Sequence, residues 1–226
     1  MKINKSYQSP NFDPKPIPVE FIVVHYTACS LETTLEIFGD KSRKVSSQLV
    51  LAEDGEVFEM VKCWDNTVER AWHAGVSYYN DGNRNWEGFN DFSIGIEVVN
   101  LNGNIFDFSE AQYLSLIEII TYFKSKHKTL EDPERIIGHE QIAKQRGKVD
   151  PGWKFDWERV YTSCYPGMKQ PVREPNLPAQ IQETGDKFVK NMPQDKSAQA
   201  KFWQDLNSTM EETSKIANKE ETKVEK

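Results

Sequence analysis

The sequence has few cysteines, and none of them forms a metal-binding pair. Cys29, Cys63 and Cys164 are the three cysteines, and their wide separation leaves no C-x-x-C knuckle. An odd number without close spacing also makes a poor disulfide framework. We therefore expect buried free thiols, which behave as small apolar side chains.

Positive charge is also in short supply. The formal net charge is −7 at pH 7. Binding to nucleic-acid phosphates requires a basic surface, so we expect no nucleic-acid partner. The same deficit argues against docking on an anionic lipid surface.

Long apolar stretches are absent as well. No segment approaches the roughly 20 apolar residues of a membrane-spanning helix. The N-terminal segment MKINKSYQSPNFDPKP lacks the apolar region of a signal peptide. We therefore expect no membrane span and a cytoplasmic location. A removed leader or a non-standard export route would instead place the protein in the periplasm or cell envelope.

The apolar residues that are present suffice for one core. They make up 38% of the 226 residues, and aromatics make up 12%. The pattern predicts an α/β fold, with a mixed central β-sheet flanked by helices in a single domain followed by a C-terminal appendage. The elements that support it are strands at 21–26 and 93–99, a hairpin over 45–61 that turns at Asp54-Gly55, a helix capped by Ser109 and Gln112, and a short strand at 136–137.

Composition divides the chain into three parts. Residues 1–20 are polar and interrupted by prolines, which predicts an irregular lead-in. Residues 21–167 form the main domain. Residues 168–226 read as a linker followed by a charged, partly helical tail. Two alternatives stay open for that tail, a mobile segment or a helix docked on the core through Phe202, Trp203, Leu206 and Met210.

Two of the four histidines stand where strands end. His25 closes the first strand, His139 follows a glycine at another strand end, and Asp150 lies on a loop eleven residues later. Two histidines and a carboxylate, with water in the fourth position, form a recurrent catalytic zinc set. Spacing alone does not show that the three converge, and each histidine can equally be an ordinary half-buried polar residue.

A series of short segments gives these residues a context. In chain order they are FIVVHYTA at 21–28, AWHAGVS at 71–77, NDFSIGIE at 90–97, GH at 138–139 and KVDPG at 148–152. With SPNFD at 9–13, the series resembles the type-2 N-acetylmuramoyl-L-alanine amidase family, zinc enzymes related to the peptidoglycan recognition proteins. The resemblance covers about residues 8 to 160, and the tail has no counterpart in it.

The resemblance implies a reaction and its main residues. The family hydrolyses the amide bond between N-acetylmuramic acid and L-alanine in peptidoglycan or its muropeptide fragments. The Zn²⁺ ligands then fall on His25, His139 and Asp150. Glu97 takes the position of the catalytic base and acid, and Lys148 faces the developing oxyanion.

The AWHAG segment supplies the remaining candidates. Trp72, His73 and Ala74 are assigned to substrate binding, as residues of the groove. The structural alternatives are packing for Trp72 and a structural role for His73, which has no metal ligand to complete.

Two departures from the family pattern bear on the substrate. The family often has His-Tyr in the hairpin strand, where this chain has Gln48 and Leu49, and that tyrosine contributes near the metal in some members. The cytosolic recycling branch usually has Asn where Tyr26 stands, so this chain is closer to the branch that acts on intact wall fragments. The missing signal peptide indicates the recycling branch instead. Intact wall and anhydro-muropeptides both stay open as substrates.

Other functions are weaker. The runner-up is a non-catalytic peptidoglycan-binding protein on the same fold, although such relatives typically lose a metal ligand. A zincin-type protease would need histidine at position 143, where Ala143 stands. A cysteine hydrolase would need a low-pKa thiolate at Cys29, with no basic group nearby to supply it. The acidic tail is a candidate site for a protein partner, in addition to the enzyme's own activity.

Overall fold

The computed structural model describes residues 3–65 and 67–224. Its strands are β1 (Ile3–Asn4), β2 (Phe12–Pro16), β3 (Phe21–Tyr26), β4 (Leu49–Leu51), β5 (Val57–Glu59), β6 (Glu69–Ala71), β7 (Tyr78–Asn80), β8 (Asn85–Glu87), β9 (Ser93–Val98) and β10 (Ile136–Gly138). Its helices are α1 (Leu31–Gly39), α2 (Glu110–Lys126), α3 (His139–Ile142), α4 (Trp157–Cys164), α5 (Ala179–Gln182), α6 (Gly185–Lys190) and α7 (Lys196–Val224). Residues 1–2 of the predicted lead-in and residues 225–226 of the predicted tail lie outside the described residues.

Six strands form one mixed sheet in the order β1-β5-β4-β9-β3-β10. Only β4 and β5 pair antiparallel, and the other four neighbouring pairs are parallel. Two small antiparallel pairs, β2 with β6 and β7 with β8, stand apart from it. The predicted mixed sheet with flanking helices is therefore confirmed.

The two faces of the sheet have different contents. Alternate residues of the central strands β3 and β9, such as Ile22, Val24 and Ile96, enter the main apolar core, which α2 and α4 cover. The intervening residues face the other side, where Phe21 and Val23 join a second, smaller cluster. Because strand side chains alternate, His25 must follow Phe21 and Val23 onto this second face.

Local signals in the sequence are confirmed where they mark turns and caps. Asp54-Gly55 joins β4 to β5, and Gly55 has a φ of 87°, which glycine tolerates without strain. At the start of α2, Ser109 and Gln112 form the predicted capping box. Ser30 caps α1 by accepting from the backbone N–H of Thr33.

The prediction of an irregular lead-in over residues 1–20 is wrong for two short strands. β1 pairs with β5 at the edge of the main sheet, and β2 pairs with β6. Pro14 and Pro16 lie in β2, whose only partner in its sheet is β6. Proline is tolerated on such an edge strand because its missing N–H need not face a neighbour.

The C-terminal segment is a docked helix in the structure rather than a mobile tail. Helix α7 buries Trp203, Leu206 and Met210 against Val149 and Leu177. The predicted amphipathic stripe therefore exists, and its apolar face covers the loop that leads to Asp150. None of the helices in the described part of the chain has the length and apolar character needed to cross a membrane.

Candidate metal centre

The central strands place two of the candidate residues side by side. β3 and β9 run parallel in an unbroken register that pairs His25 with Glu97. Paired residues of neighbouring strands point to the same face, so both side chains leave the sheet on the side opposite the main core. Both line one cavity of about 280 Å³ at the ends of these strands.

The third and fourth candidates reach the same cavity from the next elements. His139 is the first residue of α3, directly after β10, which pairs with β3. Asp150 lies on the loop beyond, and its backbone carbonyl accepts from the N–H of Glu140 at 2.8 Å. The structure thus brings together the three residues that the sequence could only nominate.

Their side chains converge on one carboxylate oxygen. Asp150 Oδ2 lies 3.1 Å from His25 Nδ1 and 2.9 Å from His139 Nδ1. All three residues are buried, and their ligand atoms lie within 4.8 Å of one another. A tetrahedral zinc site with bonds of about 2.0–2.2 Å separates its ligand atoms by roughly 3.3–3.6 Å, close to this spacing.

Burial and neighbouring charges set the protonation of this group. Burial lowers the pKa of His25 to about 4, with a further contribution from His139. Burial works to raise the pKa of Asp150, but the two histidines outweigh it and hold that pKa well below its ordinary value. Near neutral pH the site therefore offers an ionised carboxylate and a neutral His25 imidazole, the protonation states that metal binding requires.

A chain of hydrogen bonds fixes which nitrogen of His25 carries the proton. The Ser93 hydroxyl donates to the Phe89 carbonyl at 2.6 Å, so its oxygen is left to accept from His73 Nε2 at 3.3 Å. His73 Nδ1 then accepts from His25 Nε2 at 3.0 Å. His25 Nδ1 therefore carries no proton and presents its lone pair to Asp150.

His139 has the same arrangement by a simpler route. Its Nε2 lies 3.3 Å from the carbonyl oxygen of Ala74, which can only accept. A proton on Nε2 suits that carbonyl, and this tautomer leaves the Nδ1 lone pair facing the Asp150 carboxylate. With His25 in the same tautomer, two lone pairs face one anionic oxygen. A cation between them removes that repulsion, so the donor set fits a divalent metal.

Glu97 stands beside these groups in a protein interior. Its side chain is 9% exposed. Burial raises its pKa well above the ordinary value, and the Asp150 charge adds to the effect. A carboxyl group with a raised pKa holds a proton more readily than an exposed one, which suits a group that must take up and return a proton.

Lys148 reaches the cavity from the loop before Asp150. Its ammonium lies 2.5 Å from Glu211 Oε1, on helix α7, and both side chains are partly exposed. Lys148 and Glu211 both line the cavity that holds the candidate metal ligands. The sequence identified Lys148 but gave no indication of this acidic partner.

The three predicted substrate-binding residues separate in the structure. Trp72 is half-buried and is not among the described residues that line the cavity. Ala74 is buried and acts through its carbonyl, which accepts from Arg146 Nη1 at 2.7 Å and faces His139. His73 lines the cavity but is committed to His25.

A glycine on β9 makes room for His73. A Cβ at Gly95 would lie 2.4 Å from the His73 ring, so only glycine lets the imidazole pack against the strand. Burial and the nearby His25 also hold the pKa of His73 well below its ordinary value, which keeps the imidazole neutral. Only a neutral His73 has a lone pair at Nδ1 that can accept from His25 Nε2.

Leu49 cannot mark a tyrosine site near the metal in this chain. β4 pairs Leu49 with Ile96, so its side chain enters the main core on the far face of the sheet. The interpretation of Leu49 as the replacement of a tyrosine near the metal is therefore wrong. Gln48 faces the other way, accepting from the Gly95 N–H at 2.8 Å and donating to the Glu69 carbonyl at 2.9 Å, and so tethers β9 to β6.

The cysteines carry no sign of nucleophilic chemistry. All three are free, with Cys63 and Cys164 buried and Cys29 half-buried at the cavity wall. Burial raises the pKa of the Cys29 thiol, the opposite of what a reactive thiolate needs. The geometry therefore disfavours the cysteine-hydrolase alternative.

Several cavity residues escaped the sequence reasoning. Arg146, Asn207 and Glu211 all line it. Asn207 and Glu211 lie on α7, one and five residues beyond the apolar residue Leu206. The apolar stripe of α7 was the sequence signal for Asn207 and Glu211, because residues beside a docked apolar face lie close to the surface that this face covers.

The fold and the site together define a mixed α/β hydrolase with a two-histidine, one-aspartate centre suited to a divalent metal. Residues 15–153 match the family described as N-acetylmuramoyl-L-alanine amidase. The chain belongs to this family, whose reaction is hydrolysis of the amide bond between N-acetylmuramic acid and L-alanine. The resemblance inferred from the motifs is thereby confirmed.

Individual relatives agree. A 1,6-anhydro-N-acetylmuramyl-L-alanine amidase, AmpD, of Haemophilus influenzae is 34% identical over 180 residues, 70% of this chain and 91% of that protein. The AmpD of Escherichia coli is 36% identical over 116 residues, 51% of this chain and 56% of that protein.

Solved structures share the fold. A selenomethionine AmpD crystal structure matches with a TM-score of 0.58 and 29% identity, over 71% of this chain and 93% of that one. E. coli AmiD, bound to anhydro-N-acetylmuramic acid-L-Ala-D-gamma-Glu-L-Lys, matches with a TM-score of 0.56 and 24% identity, over 82% of this chain and 70% of that one. At that identity the AmiD match shows the fold alone.

Proposed function

We propose that the chain is a zinc-dependent amidase that releases the stem peptide from soluble anhydro-muropeptides. The observation that carries the proposal is the convergence of His25, His139 and Asp150, with Nδ1 of both imidazoles facing one carboxylate oxygen. The complete donor set disfavours the alternative of a non-catalytic peptidoglycan-binding protein.

The donor set also favours zinc among divalent metals. Two imidazoles and a carboxylate are ligands of catalytic zinc, which keeps a further position open. When bound, zinc supplies Lewis-acid polarisation of the scissile carbonyl and lowers the pKa of water at the open position. The protein's own contribution is to hold the ligand atoms ready, because His73 and the Ala74 carbonyl fix both tautomers.

Glu97 is the proton-transfer group in this proposal. It neighbours His25 in the strand register and lines the same cavity. It takes a proton from the attacking water and returns it to the amine of the departing L-alanine. Burial raises its pKa, which favours proton uptake, and a well-placed acid or base contributes about 10²–10⁴-fold to the rate.

Lys148 supplies positive charge on the oxyanion side. Lys148 stands two residues before Asp150, and Glu211 holds its ammonium at the cavity wall. A preorganised cation at a developing oxyanion is worth about 3 kcal/mol where one donor has been measured. Because the pair is partly exposed, we expect the contribution of Lys148 to lie below that value.

Two features of the sequence indicate different substrates, and the relatives favour one of these substrates. AmpD of H. influenzae, to which 70% of this chain aligns, is named for 1,6-anhydro-N-acetylmuramyl-L-alanine. The Tyr26 position indicated intact wall fragments instead. In the structure the Tyr26 hydroxyl donates to Asn207 on α7 at 2.8 Å, so its identity is explained by helix docking. We therefore favour the anhydro-muropeptide.

The test is a digest of two substrates by the zinc-loaded protein. Purified anhydro-muropeptide and intact sacculi are incubated separately, and the released stem peptides are quantified by mass spectrometry. We expect efficient release from the anhydro-muropeptide, little release from sacculi, and none from either by Asp150→Ala. Release by Asp150→Ala at the wild-type rate would refute the site, and a preference for sacculi would refute the substrate.

A further inference from the structure

Helix α7 forms a wall of the candidate active-site cavity. The family match ends at residue 153, well before α7 begins at Lys196. Nevertheless Asn207 and Glu211 line the cavity together with the candidate metal ligands. A segment beyond the residues that match the family therefore contributes side chains to the site.

The helix is held in this position by more than one kind of contact. Asn207 is buried, accepts from the Tyr26 hydroxyl at 2.8 Å and donates to the Leu101 carbonyl at 3.1 Å. Further along, a Cβ at Gly147 would lie 2.0 Å from the Glu211 carbonyl oxygen, so helix and loop backbones are in close contact. With Trp203 in the apolar cluster, these contacts make the wall a defined surface.

A second groove continues from the metal cavity along α7. It has a volume of about 1060 Å³ and lies between α7 and the segment from the end of β3 into α1. The two spaces share part of their lining: Thr27, Ala28, Cys29, Ile37, Asn207 and Glu211. Ligand pockets usually measure about 300–1,000 Å³, so the metal cavity of about 280 Å³ is small for a sugar joined to a peptide.

The groove suits a polar chain with negative charge. Gln204 and Ser208 line it from α7, while Thr33 and Arg43 line it from the α1 side. Gln204, Ser208 and Glu211 recur at helical spacing along one stripe of α7. Hydroxyl and amide groups can bond peptide N–H and C=O groups, and the Arg43 guanidinium can pair with a carboxylate.

We propose that this groove binds the stem peptide, with α7 as one wall and Arg43 facing the free α-carboxylate of the γ-linked glutamate. The inference rests on the proposed function, because it takes the muropeptide as substrate. A γ-linked glutamate is joined to the next residue through its side-chain carboxyl, which leaves its α-carboxylate ionised. Gln204 and Ser208 are then specificity-determining residues supplied by the C-terminal helix.

The test measures binding of the peptide product to the zinc-loaded full-length protein. The probe is L-Ala-D-γ-Glu-L-Lys, the peptide part of the AmiD ligand, and its matched analogue carries a carboxamide in place of the glutamate α-carboxylate. Isothermal titration calorimetry gives the dissociation constant for each. We expect the wild-type protein to bind the carboxylate form at least fivefold more tightly than the carboxamide.

Three variants separate the groove from the rest of the helix. Ser208→Trp fills the groove from the exposed side of α7 and should weaken tripeptide binding at least tenfold. Thr209→Trp places the same side chain on the neighbouring exposed position, outside the groove lining, and should leave binding unchanged. Arg43→Gln should weaken binding of the carboxylate form to that of the carboxamide, whose own binding should not change.

Equal binding of the tripeptide by Ser208→Trp and wild type would overturn the proposal, as would a loss of the same size in Thr209→Trp. An Arg43→Gln effect that is the same for both peptides would overturn the carboxylate assignment. Failure of the proposed function looks different, because the wild-type protein would then release no stem peptide from any muropeptide. Melting temperatures of the variants, measured alongside, identify any loss of binding that comes from unfolding.

Discussion

The two sides of the candidate active site are built in different ways. His25 and Glu97 sit on neighbouring central strands, where six consecutive residue pairs fix their positions. Lys148 and Asp150 sit on a loop, where the support comes from later parts of the chain. Asn176 donates to the Lys148 carbonyl at 2.7 Å, and Glu211 pairs with the Lys148 ammonium.

The geometry of one site can therefore be determined by two different kinds of contact. On the strand side, backbone hydrogen bonds within the sheet determine the geometry. On the loop side, the side chains of the C-terminal segment determine it, through a docked helix with its own small apolar cluster. Elements held by few apolar contacts open at a lower free-energy cost than core strands, so we expect the loop side to be the more easily perturbed.

The largest effect should come from the proton-transfer group on the strand side. Glu97→Gln keeps the shape and the strand register but cannot accept a proton. We expect kcat for anhydro-muropeptide hydrolysis to fall by about 10²–10⁴-fold with zinc still bound. Steady-state kinetics with metal analysis of the same sample checks this, and a variant with wild-type kcat would remove Glu97 from the mechanism.

The next effect tests how the strand side holds its metal ligand. His73→Phe preserves the ring but removes the acceptor for His25 Nε2. Loss of such an outer hydrogen bond typically costs about 10–100-fold in metal affinity. Competition with a zinc chelator measures the change, and Trp72→Phe, which alters the neighbouring side chain outside the cavity lining, is the control. Equal zinc affinity in wild type and His73→Phe would show that the hydrogen bond has no such role.

A matched pair of glycine variants isolates the contact between α7 and the loop. Gly147 and Gly167 have φ angles of 75° and 77°, so alanine should cost each a similar backbone penalty, about 1–3 kcal/mol. Only at Gly147 would the new Cβ meet α7, at 2.0 Å from the Glu211 carbonyl, whereas Gly167 has nothing within 4 Å. We expect Gly147→Ala to lower kcat/KM several-fold and to raise hydrogen exchange in α7.

Hydrogen-exchange mass spectrometry compares the two variants directly. Protection of β3 and β9 should be the same in both, because neither glycine lies on the central strands. If α7 exchanged equally in Gly147→Ala and Gly167→Ala, the close contact would have no part in holding the helix.

The smallest effect on activity is expected at the far edge of the sheet. Glu59 on β5 accepts from the backbone N–H groups of Cys63 at 2.8 Å and Trp64 at 2.6 Å, and pairs with Lys5. Burial works to raise the pKa of Glu59, but these bonds outweigh it and hold the pKa below its ordinary value of 4.5. The stabilisation is therefore present above pH 4.5 and is lost as the pH falls through the lower, folded-state pKa.

Glu59→Gln should therefore lower the free energy of unfolding at pH 7 by about 1–3 kcal/mol. The difference from wild type should shrink once the pH drops below 4.5, while activity per folded molecule at pH 7 stays unchanged. Urea unfolding at several pH values measures this. A difference that stays constant down to pH 2 would mean that the Glu59 charge is not responsible.

The strand side was also the more predictable from sequence. FIVVHY and SIGIE are apolar runs with a polar residue at a fixed step, so the alternation alone placed Glu97 opposite the isoleucines. The role of His73 was missed because it depends on Ser93, twenty residues away, and on which nitrogens carry protons.

The loop side could not be derived in this way. The stripe of Trp203, Leu206 and Met210 predicted an amphipathic helix, but its docking surface consists of Val149 and Leu177, which local patterns do not connect to it. Charge on the surface of α7 also suggested a solvated tail, although Glu211 turns inward to Lys148. A protein partner for the tail and the cellular location of the enzyme stay predictions.

A metal titration is the decisive test of a zinc centre formed by His25, His139 and Asp150. The purified protein is stripped with a chelator, and zinc is added back while bound metal and stem-peptide release are both measured. We expect activity to be lost on stripping and to return in proportion to bound zinc, with an end point at one ion per chain. We expect Asp150→Ala neither to bind zinc at that concentration nor to recover. Full activity in the stripped protein, or an unchanged zinc end point in Asp150→Ala, would contradict this zinc centre.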